Sequence, residues 1–212
     1  MGRIFAVGDI HGNLDPLEDL LAKIPLDWAD DYLVFLGDYI DRGPEPRLVL
    51  DFLMALKEKH PDRVVCLLGN HEWMFLRYLE GYGREIYLLN GGEITLAQFL
   101  EDGIIHVPTT YISFLRTLLP YWETDRYIFV HAGLRPGIPL KDQTLKDLLF
   151  IREEFIYSDY DWGKLVIFAH TPFFEPLVSP NKIGIDTGCV YGGALTALEL
   201  PRVLFHTVSC RR

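Results

Sequence analysis

Six polar side chains in this sequence follow short apolar runs and could bind metal ions together. They are Asp9, His11, Asp38, Asn70, His131 and His170. Their oxygen and nitrogen atoms are ligands for manganese, iron and zinc, and they are too many for a single zinc ion. The set therefore indicates two ions with a carboxylate shared between them. A water held between two such ions is acidic enough to be hydroxide at neutral pH, and the same ions can hold phosphoryl oxygens for in-line attack.

The apolar runs that precede these side chains are typical of buried strands. They are Arg3–Val7, Tyr32–Leu36, Arg63–Leu68, Tyr127–Val130 and Leu165–Ala169. Each of the first three is followed by glycine, a polar loop and an amphipathic helix, which predicts an α/β sheet with the polar loops along one edge. Open α/β sheets bind their ligands at this edge, beyond the carboxyl ends of the strands.

Each of these signals is weak when it is taken alone. A Gly-Asp or Gly-Asn pair often marks only a turn, and a single histidine is more often a packed or surface group than a ligand. The same construction, an apolar strand followed by glycine and polar residues, occurs at residues 8, 37 and 69, and two histidines at strand ends follow later. This repetition favours a metal site over a set of unrelated turns.

The rest of the chain carries fewer chemical groups. Residues 81–121 contain a glycine turn and helical patterns at Ile94–Leu100 and Tyr111–Leu119, so we expect a helical insertion beside the cleft. The glycine-rich stretch Lys182–Leu198 and the run Val203–Val208 predict antiparallel strands in a second sheet packed on the first.

Length and composition predict one globular domain spanning residues 1–212. With 49% hydrophobic and 24% charged residues, the chain can bury a full core. Its net charge of -10 would repel nucleic-acid phosphates, so we expect no nucleic-acid partner. The sequence carries no readable signal of oligomeric state.

The cysteines and the apolar runs bear on cellular location. Cys66, Cys189 and Cys210 form no Cys-x-x-Cys pair and no even set, which argues against a zinc knot or a disulfide scaffold. The first strand follows the start of the sequence too closely for a signal peptide, and no apolar run is long enough to cross a bilayer. These features predict a cytoplasmic protein without membrane association.

In chain order, the polar loops form five blocks: Gly-Asp-x-His-Gly at 8–12, Gly-Asp-x-x-Asp-Arg-Gly at 37–43, Gly-Asn-His-Glu at 69–72, His-Ala-Gly at 131–133 and His-Thr-Pro at 170–172. Together they closely resemble the phosphoprotein phosphatase family of metallophosphoesterases, and its bacterial and phage branch most of all. The resemblance covers residues 3–198, with Ala169 in place of the more usual glycine. It implies an α/β fold, a calcineurin-like sandwich of two mixed β-sheets flanked by helices.

The resemblance also implies a role for each matching residue. The first metal would be held by Asp9, His11 and Asp38. The second would share Asp38 and be completed by Asn70, His131 and His170. His71 would protonate the leaving oxygen, with Asp41 stabilising the charged ring, while Arg42 and Arg152 would bind phosphate oxygens. The two divalent ions are expected to be Mn²⁺, with iron or zinc as alternatives.

The main functional expectation is a metal-dependent phosphomonoesterase that acts on phosphoserine and phosphothreonine, with phosphotyrosine as a further candidate. Its substrate would be a phosphorylated protein or a small phosphoester, attacked directly by a hydroxide bridging the two ions, without a phosphoenzyme. An alternative is symmetrical hydrolysis of diadenosine tetraphosphate, since a similar family shares these blocks and the turn at 90–92. The chain is short for the helical insertion of that family, which favours the phosphatase. A catalytically inactive binding module is a third interpretation, and the complete set of metal and acid residues argues against it.

Overall fold

The computed structural model describes residues 2–210 of the 212-residue chain. Met1 lies outside these residues, and with it the start of the sequence on which the expectation about a signal peptide depends. Residues 2–210 form twelve strands: β1 (Ile4–Val7), β2 (Tyr32–Phe35), β3 (Val64–Cys66), β4 (Leu100–Glu101), β5 (Ile104–Ile105), β6 (Tyr121–Glu123), β7 (Tyr127–Val130), β8 (Leu165–Phe168), β9 (Leu177–Val178), β10 (Lys182–Gly184), β11 (Ala194–Leu200) and β12 (Leu204–Ser209).

The same residues form eight α-helices: α1 (Leu14–Lys23), α2 (Pro46–Lys59), α3 (Asn70–Leu79), α4 (Arg84–Leu89), α5 (Gly92–Ala97), α6 (Thr109–Arg116), α7 (Leu145–Phe150) and α8 (Glu153–Ile156). Apolar side chains at helical spacing bury one face of the longer helices, as Leu17 and Leu20 do in α1 and Val49 and Leu53 do in α2. Within residues 2–210, no helix combines the length and the apolar character needed to span a bilayer.

The first sheet has the strand order β12-β11-β1-β2-β3. Its strands β1, β2 and β3 are parallel, with Val7 opposite Phe35 and Phe35 opposite Cys66. Because α1 and α2 provide the crossovers between these strands, the three carboxyl ends lie side by side. This confirms the α/β arrangement with polar loops along one edge that the sequence predicts.

The second sheet has the order β6-β7-β8-β10-β9, with β7, β8 and β10 parallel and antiparallel strands at both edges. The two sheets pack face to face, since one core cluster joins Ala6 and Val34 of the first sheet to Phe129 and Ile167 of the second. The opposite face of the first sheet packs on helices α1 and α2. Strands buried on both faces read as continuous apolar runs, which is why they stand out in the sequence. The sandwich of two mixed sheets flanked by helices is therefore confirmed.

The expectation for the C-terminal part is wrong in one respect. Strands β10 and β11, which the sequence suggests pair with each other in one antiparallel sheet, lie in different sheets. Ile183 pairs in parallel with Ile167, whereas Leu198 pairs antiparallel with Ala6. All three residues of β10 and six of the seven of β11 are buried, so the residue pattern identifies them as strands without indicating their neighbours.

The segment 81–121 contains α4, α5, a two-stranded hairpin and α6. The helix predicted to reach Leu100 ends at Ala97, and Leu100 begins the hairpin of β4 and β5. The reason is the Asp102-Gly103 pair, in which both residues have positive φ, the conformation that a tight hairpin turn requires. That this segment is an insertion within a single domain stays a prediction.

A disulfide joins Cys189 to Cys210, contrary to the expectation from the cysteine count. The two residues meet because β11 and β12 are antiparallel, which places Ala194 opposite Ser209 and lets the Cys210 N–H donate to the carbonyl of Gly193. The third cysteine, Cys66, is buried and free. The odd number of cysteines concealed this pair, which the sheet topology brings together.

We expect the double variant Cys189→Ala with Cys210→Ala to have a free energy of unfolding about 3 kcal/mol lower than the wild type, because the bond closes a loop of intermediate length in the unfolded chain. Urea denaturation monitored by circular dichroism measures this. A thiol reductant should destabilise the wild type by a similar amount and leave the double variant unchanged. Equal denaturation midpoints for the wild type and the double variant would contradict the prediction.

Candidate metal centre

The loops that follow β1, β2, β3, β7 and β8 meet at the edge where the two sheets come together. They bring all six predicted ligands into one buried cluster: Asp9, His11, Asp38, Asn70, His131 and His170. Parallel strands within each sheet align their carboxyl ends, and the packing of the sheets brings the two rows of loops into contact. Residues separated by up to 161 positions in the sequence thereby become neighbours, as in the contact between Asp9 and His170.

Asp38 lies at the centre of the cluster. Its Oδ2 atom is 3.5 Å from Nε2 of His11, and its Oδ1 atom is 3.3 Å from Nε2 of His131. Two groups of potential metal ligands, each with donor atoms within 4.8 Å of one another, share this carboxylate: His11, Asp38 and His71, and Asp38, His131 and His170. A carboxylate that presents one oxygen to each group can be shared by two ions.

The donor atoms around His131 fit a cation. Its Nδ1 is 2.9 Å from the carbonyl of Leu36 and so carries the hydrogen, which leaves a lone pair on Nε2 of the neutral ring. Nε2 is 2.9 Å from Oδ1 of Asn70 and 3.2 Å from Nδ1 of His170. Burial acts to lower the pKa of His131, but the carboxylates of Asp38 and Glu72 and the hydrogen bond to the Leu36 carbonyl together raise it. Positive charge is therefore stabilised at this point.

The other histidines are suited to act as neutral ligands. Nδ1 of His11 is 2.7 Å from the carbonyl of Ile40, which orients the ring with Nε2 toward Asp38. Burial lowers the pKa of His11 to about 3. Burial, together with the charge on His131, also lowers the pKa of His170. Both rings thus stay neutral, and a neutral ring has a lone pair that can bind a metal ion.

The Asp9 carboxylate lies beside the two compact groups rather than within them. His71 joins His11 and Asp38 instead. Asp9 still lies in the cluster, since its Oδ1 accepts a long hydrogen bond of 3.4 Å from the His170 N–H. Burial and the nearby carboxylates of Asp186 and Asp38 raise the pKa of Asp9. A cation would relieve this crowding of negative charge.

His71 and Asp41 form a fully buried pair. Nδ1 of His71 is 2.7 Å from Oδ2 of Asp41, and Nε2 of His71 has no hydrogen-bond partner in the part of the chain that the structure describes. The free Nε2 lies 3.9 Å from Oδ2 of Asp38, at the border of the metal cluster. The pair can therefore hold a proton directed at whatever binds beside Asp38.

Two residues that support this pair were not found from the sequence. The other oxygen of Asp41 accepts hydrogen bonds from the Tyr87 hydroxyl (2.8 Å) and the Thr95 hydroxyl (2.5 Å), which lie on α4 and α5. The segment 81–121 thus fixes the carboxylate that holds His71.

The turn at 90–92 needs its two glycines because larger residues would collide with the site. A Cβ on Gly91 would lie 2.8 Å from Cγ of Arg42, and a Cβ on Gly92 would lie 2.5 Å from the Tyr87 ring.

Arg42 and Arg152 both line a small cavity of about 150 Å³ beside the cluster. Arg42 is held by hydrogen bonds from its N–H to the Gly91 carbonyl and from its guanidinium to Nε2 of His11. Arg152 donates to the Thr171 hydroxyl and is exposed. Two guanidinium groups at the mouth of a metal-binding cavity can bind a phosphate-like anion.

Asp186 is a further residue of this cavity to which the sequence analysis assigned no role. Burial raises its pKa to about 6, against a hydrogen bond from the Gly188 N–H that acts in the opposite direction. Nothing in the Ile-Asp-Thr-Gly segment at 185–188 indicates from the sequence that its aspartate reaches the cluster.

The backbone of the site is left-handed at several residues that carry side chains. His11, Asp38, Asp41, Arg42 and His170 all have φ between 45° and 68°. Such conformations cost on the order of 1–3 kcal/mol each and persist only where the surroundings fix them. The surrounding structure must therefore supply strong local constraints.

Glu72 provides the main constraint. Its carboxylate, which is fully buried, accepts hydrogen bonds from four backbone N–H groups: Asp38, Tyr39, Ile40 and Gly69, at 2.8–3.3 Å. The acceptor thus holds the loop after β2 against the loop after β3. Burial, together with the charge of Asp38, raises the pKa of Glu72 to about 7.

Comparison with known proteins identifies relatives over nearly the whole chain. A sequence profile of the calcineurin-like phosphoesterases matches residues 2–177. The bis(5'-nucleosyl)-tetraphosphatase PrpE of Anoxybacillus flavithermus, designated asymmetrical, is 29% identical over 96% of this chain and 91% of that protein. A crystal structure provisionally assigned as a diadenosine tetraphosphatase is 26% identical, with a TM-score of 0.77 over 98% of this chain and 93% of that one.

A protein serine/threonine phosphatase from Saccharomyces cerevisiae shares the fold. Its TM-score is 0.72 over 100% of this chain and 80% of that one, and the sequence identity is 15%. At this identity the likeness concerns the fold alone.

We expect Glu72→Gln to lower the free energy of unfolding by about 2 kcal/mol, because an amide offers one acceptor oxygen and sets its NH₂ group against backbone N–H donors. Urea denaturation of the metal-free protein measures this. Glu93→Gln, a change of the same kind at an exposed position on α5, should alter stability by less than about 0.5 kcal/mol. If the two variants are equally stable, the constraint assigned to Glu72 is wrong.

Proposed function

The chain belongs to the calcineurin-like phosphoesterase family, and from this premise we propose that it hydrolyses dinucleoside tetraphosphates into unequal products, ATP and AMP in the case of diadenosine tetraphosphate. The observation that carries the proposal is the nearly full-length likeness to PrpE, an asymmetrical bis(5'-nucleosyl)-tetraphosphatase. The solved structure assigned to a diadenosine tetraphosphatase supports the same substrate class.

The relatives favour the alternative interpretation of the sequence over the main one. The sequence alone favours a serine/threonine phosphatase, because the chain is short for the helical insertion of the symmetrical tetraphosphatases. Both activities need the same metal ligands and phosphate-binding groups, so the motif blocks do not separate them. The relatives support a dinucleotide substrate, and their designation favours asymmetrical rather than the expected symmetrical cleavage.

In this proposal, His11 and Asp38 would hold one divalent ion, and Asp38, His131 and His170 would hold the other. When bound, these ions would supply an acidified water and neutralise the phosphoryl oxygens, and His71 stays free to act as an acid. Asp9 and Asn70 complete the ligand set, as the sequence predicts. Arg42 and Arg152 bind the oxygens of the attacked phosphate from the mouth of the cavity. Their positive charge also offsets the repulsion between an acidic chain and a highly anionic substrate.

His71 gives its proton to the leaving oxygen. The proton is carried on Nε2, which faces the cluster, while Asp41 holds Nδ1. The need for this proton depends on the leaving group. A phosphate chain is a weak base and leaves readily as an anion, whereas a serine alkoxide must be protonated. The same histidine therefore contributes more to the hydrolysis of an alkyl phosphate than to that of a phosphoanhydride.

The test compares two substrates at equal concentration with added Mn²⁺: diadenosine tetraphosphate and a phosphoserine peptide. We expect the dinucleotide to have the higher kcat/KM and chromatography to show ATP and AMP in equal amounts. Two ADP per dinucleotide would replace asymmetrical with symmetrical cleavage. Faster release of phosphate from the peptide would overturn the proposal in favour of a protein phosphatase.

Two controls secure this comparison. Asp38→Asn should be inactive on both substrates, which excludes a contaminating hydrolase. Removal of divalent ions with a chelator should abolish activity, and added Mn²⁺ should restore it.

A separate experiment in water labelled with oxygen-18 tests the mechanism. Direct attack by water puts the label into one of the two products, and no phosphoenzyme can be trapped.

We expect His71→Asn to lower kcat for an alkyl phosphate by about 100-fold or more, the usual contribution of a general acid, with a smaller loss for diadenosine tetraphosphate. Steady-state rates with saturating Mn²⁺ measure both losses, and metal analysis should show unchanged stoichiometry. Equal losses on the two substrates would contradict the acid role, because the benefit of protonation must follow the basicity of the leaving group.

A further inference from the structure

A larger groove adjoins the small cavity beside the metal cluster. The small cavity, of about 150 Å³, lies below the range of about 300–1,000 Å³ that is usual for ligand pockets, so it suits a phosphoryl group rather than a whole nucleotide. The groove has a volume of about 470 Å³ and falls within this range. Arg42, Cys189 and Val190 line both spaces, so a ligand can extend from one into the other.

The walls of the groove come from several segments that lie far apart in the sequence. One wall is formed by the loop 42–44 and by Ile94 of α5. The other is formed by Cys189, Val190 and Gly192 and by Cys210, which the disulfide joins to Cys189. Ile94, Val190 and the disulfide give the groove an apolar lining. A flat, weakly polar group such as a nucleobase loses little hydration there and gains apolar contact.

The charge of the groove favours a phosphorylated ligand. Among the described residues that line it, Arg42 is the only one with a charged side chain, although the chain as a whole has a net charge of -10. The guanidinium of Arg42 lies 5.8 Å from the ring centre of Tyr191, an exposed aromatic residue that lines the small cavity. A positive group thus stands between the metal cluster and the apolar groove.

We propose that this groove binds the nucleoside next to the attacked phosphate of a dinucleoside polyphosphate, with the base against Ile94 and Val190 and the phosphate chain passing Arg42. The inference rests on the proposed function and adds the position of the nucleoside. Unequal cleavage breaks the bridge between a phosphate that carries a nucleoside and the next phosphate, so a nucleoside lies at most one phosphate away from the attacked phosphorus. The groove opens directly beside the cavity for that phosphorus.

The first measurement uses the wild type with p-nitrophenyl phosphate, a small ester that the 150 Å³ cavity can accept by its phosphoryl group. AMP and ribose 5-phosphate serve as competitive inhibitors that differ only in the base. We expect AMP to bind at least about fivefold more tightly, because apolar contact of the base stabilises its complex. Equal inhibition constants would overturn the proposal, since the base would then find no site.

The second measurement uses Ile94→Asn, which makes one wall polar without adding charge. It should remove most of the advantage of AMP over ribose 5-phosphate and raise the KM for diadenosine tetraphosphate about fivefold, with the KM for p-nitrophenyl phosphate unchanged. Leu89→Asn, the same kind of change at an exposed position of α4, should behave as the wild type. If Ile94→Asn keeps the full advantage of AMP, the nucleoside lies elsewhere.

The two proposals can fail separately. If the wild type does not cleave the dinucleotide, yet binds AMP better than ribose 5-phosphate through Ile94, the proposed function fails and the nucleoside site stands. If the dinucleotide is cleaved and Ile94→Asn has no effect on it, only the nucleoside site fails. A raised KM for a phosphoserine peptide, with AMP binding unchanged, would make the groove a peptide site and overturn the proposal. If Ile94→Asn loses activity on p-nitrophenyl phosphate, the variant is too damaged to report on the groove. The comparison of AMP with ribose 5-phosphate on the wild type then decides whether the nucleoside site exists.

Discussion

The carboxylate of Glu72 accepts hydrogen bonds from backbone groups of two neighbouring loops, and the geometry of the site depends on this interaction. After β2 the chain leaves the sheet, so the N–H groups of residues 38–40 lose their partners in the strand ladder and still lie in the protein interior. Buried donors need acceptors, and one carboxylate on the first turn of α3 supplies them. The same carboxylate caps α3 through the Gly69 N–H, so the helix and the loop after β2 are fixed together. Asp38, in a left-handed conformation, is thereby held where its two oxygens face different groups of ligands.

A second layer of contacts fixes the proton-carrying pair. Asp41 receives hydrogen bonds from Tyr87 and Thr95, and the aromatic ring of Tyr87 packs closely over Gly92. Helices α4 and α5 are therefore part of the support of the site as well as part of its wall. Burial without these donors would leave the Asp41 carboxylate with an unsatisfied oxygen, which is costly in the interior. The structure thus gives the segment 81–121 a function beyond the wall that the sequence suggests.

The sequence predicts well those features that depend on the local residue pattern and on the positions of the strand ends. Asp38 and His131 each follow a run of apolar residues buried on both faces, and parallel strands bring such ends together without further information. Contacts between segments that are distant in the sequence cannot be predicted in this way. Tyr87 meets Asp41 across 46 positions, and Cys189 meets Cys210 through the pairing of β11 with β12. No residue type or spacing marks these partners in advance, because tertiary packing alone creates the contacts.

The motif blocks do not determine which phosphate compound is the substrate, and the reason is physical. The blocks encode the cluster and the cavity of about 150 Å³ beside it, and this space is large enough for a phosphoryl group but not for the rest of a substrate. An alkyl phosphate and a phosphoanhydride present nearly the same phosphoryl oxygens to Arg42 and the ligands. Discrimination between them must come from groups that contact the remainder of the substrate. Those groups lie on elements outside the blocks, such as Ile94 of α5 and Val190 of the turn before β11. A phosphatase-like set of blocks is therefore compatible with a nucleotide substrate, and the residues around the groove are where the two activities must differ.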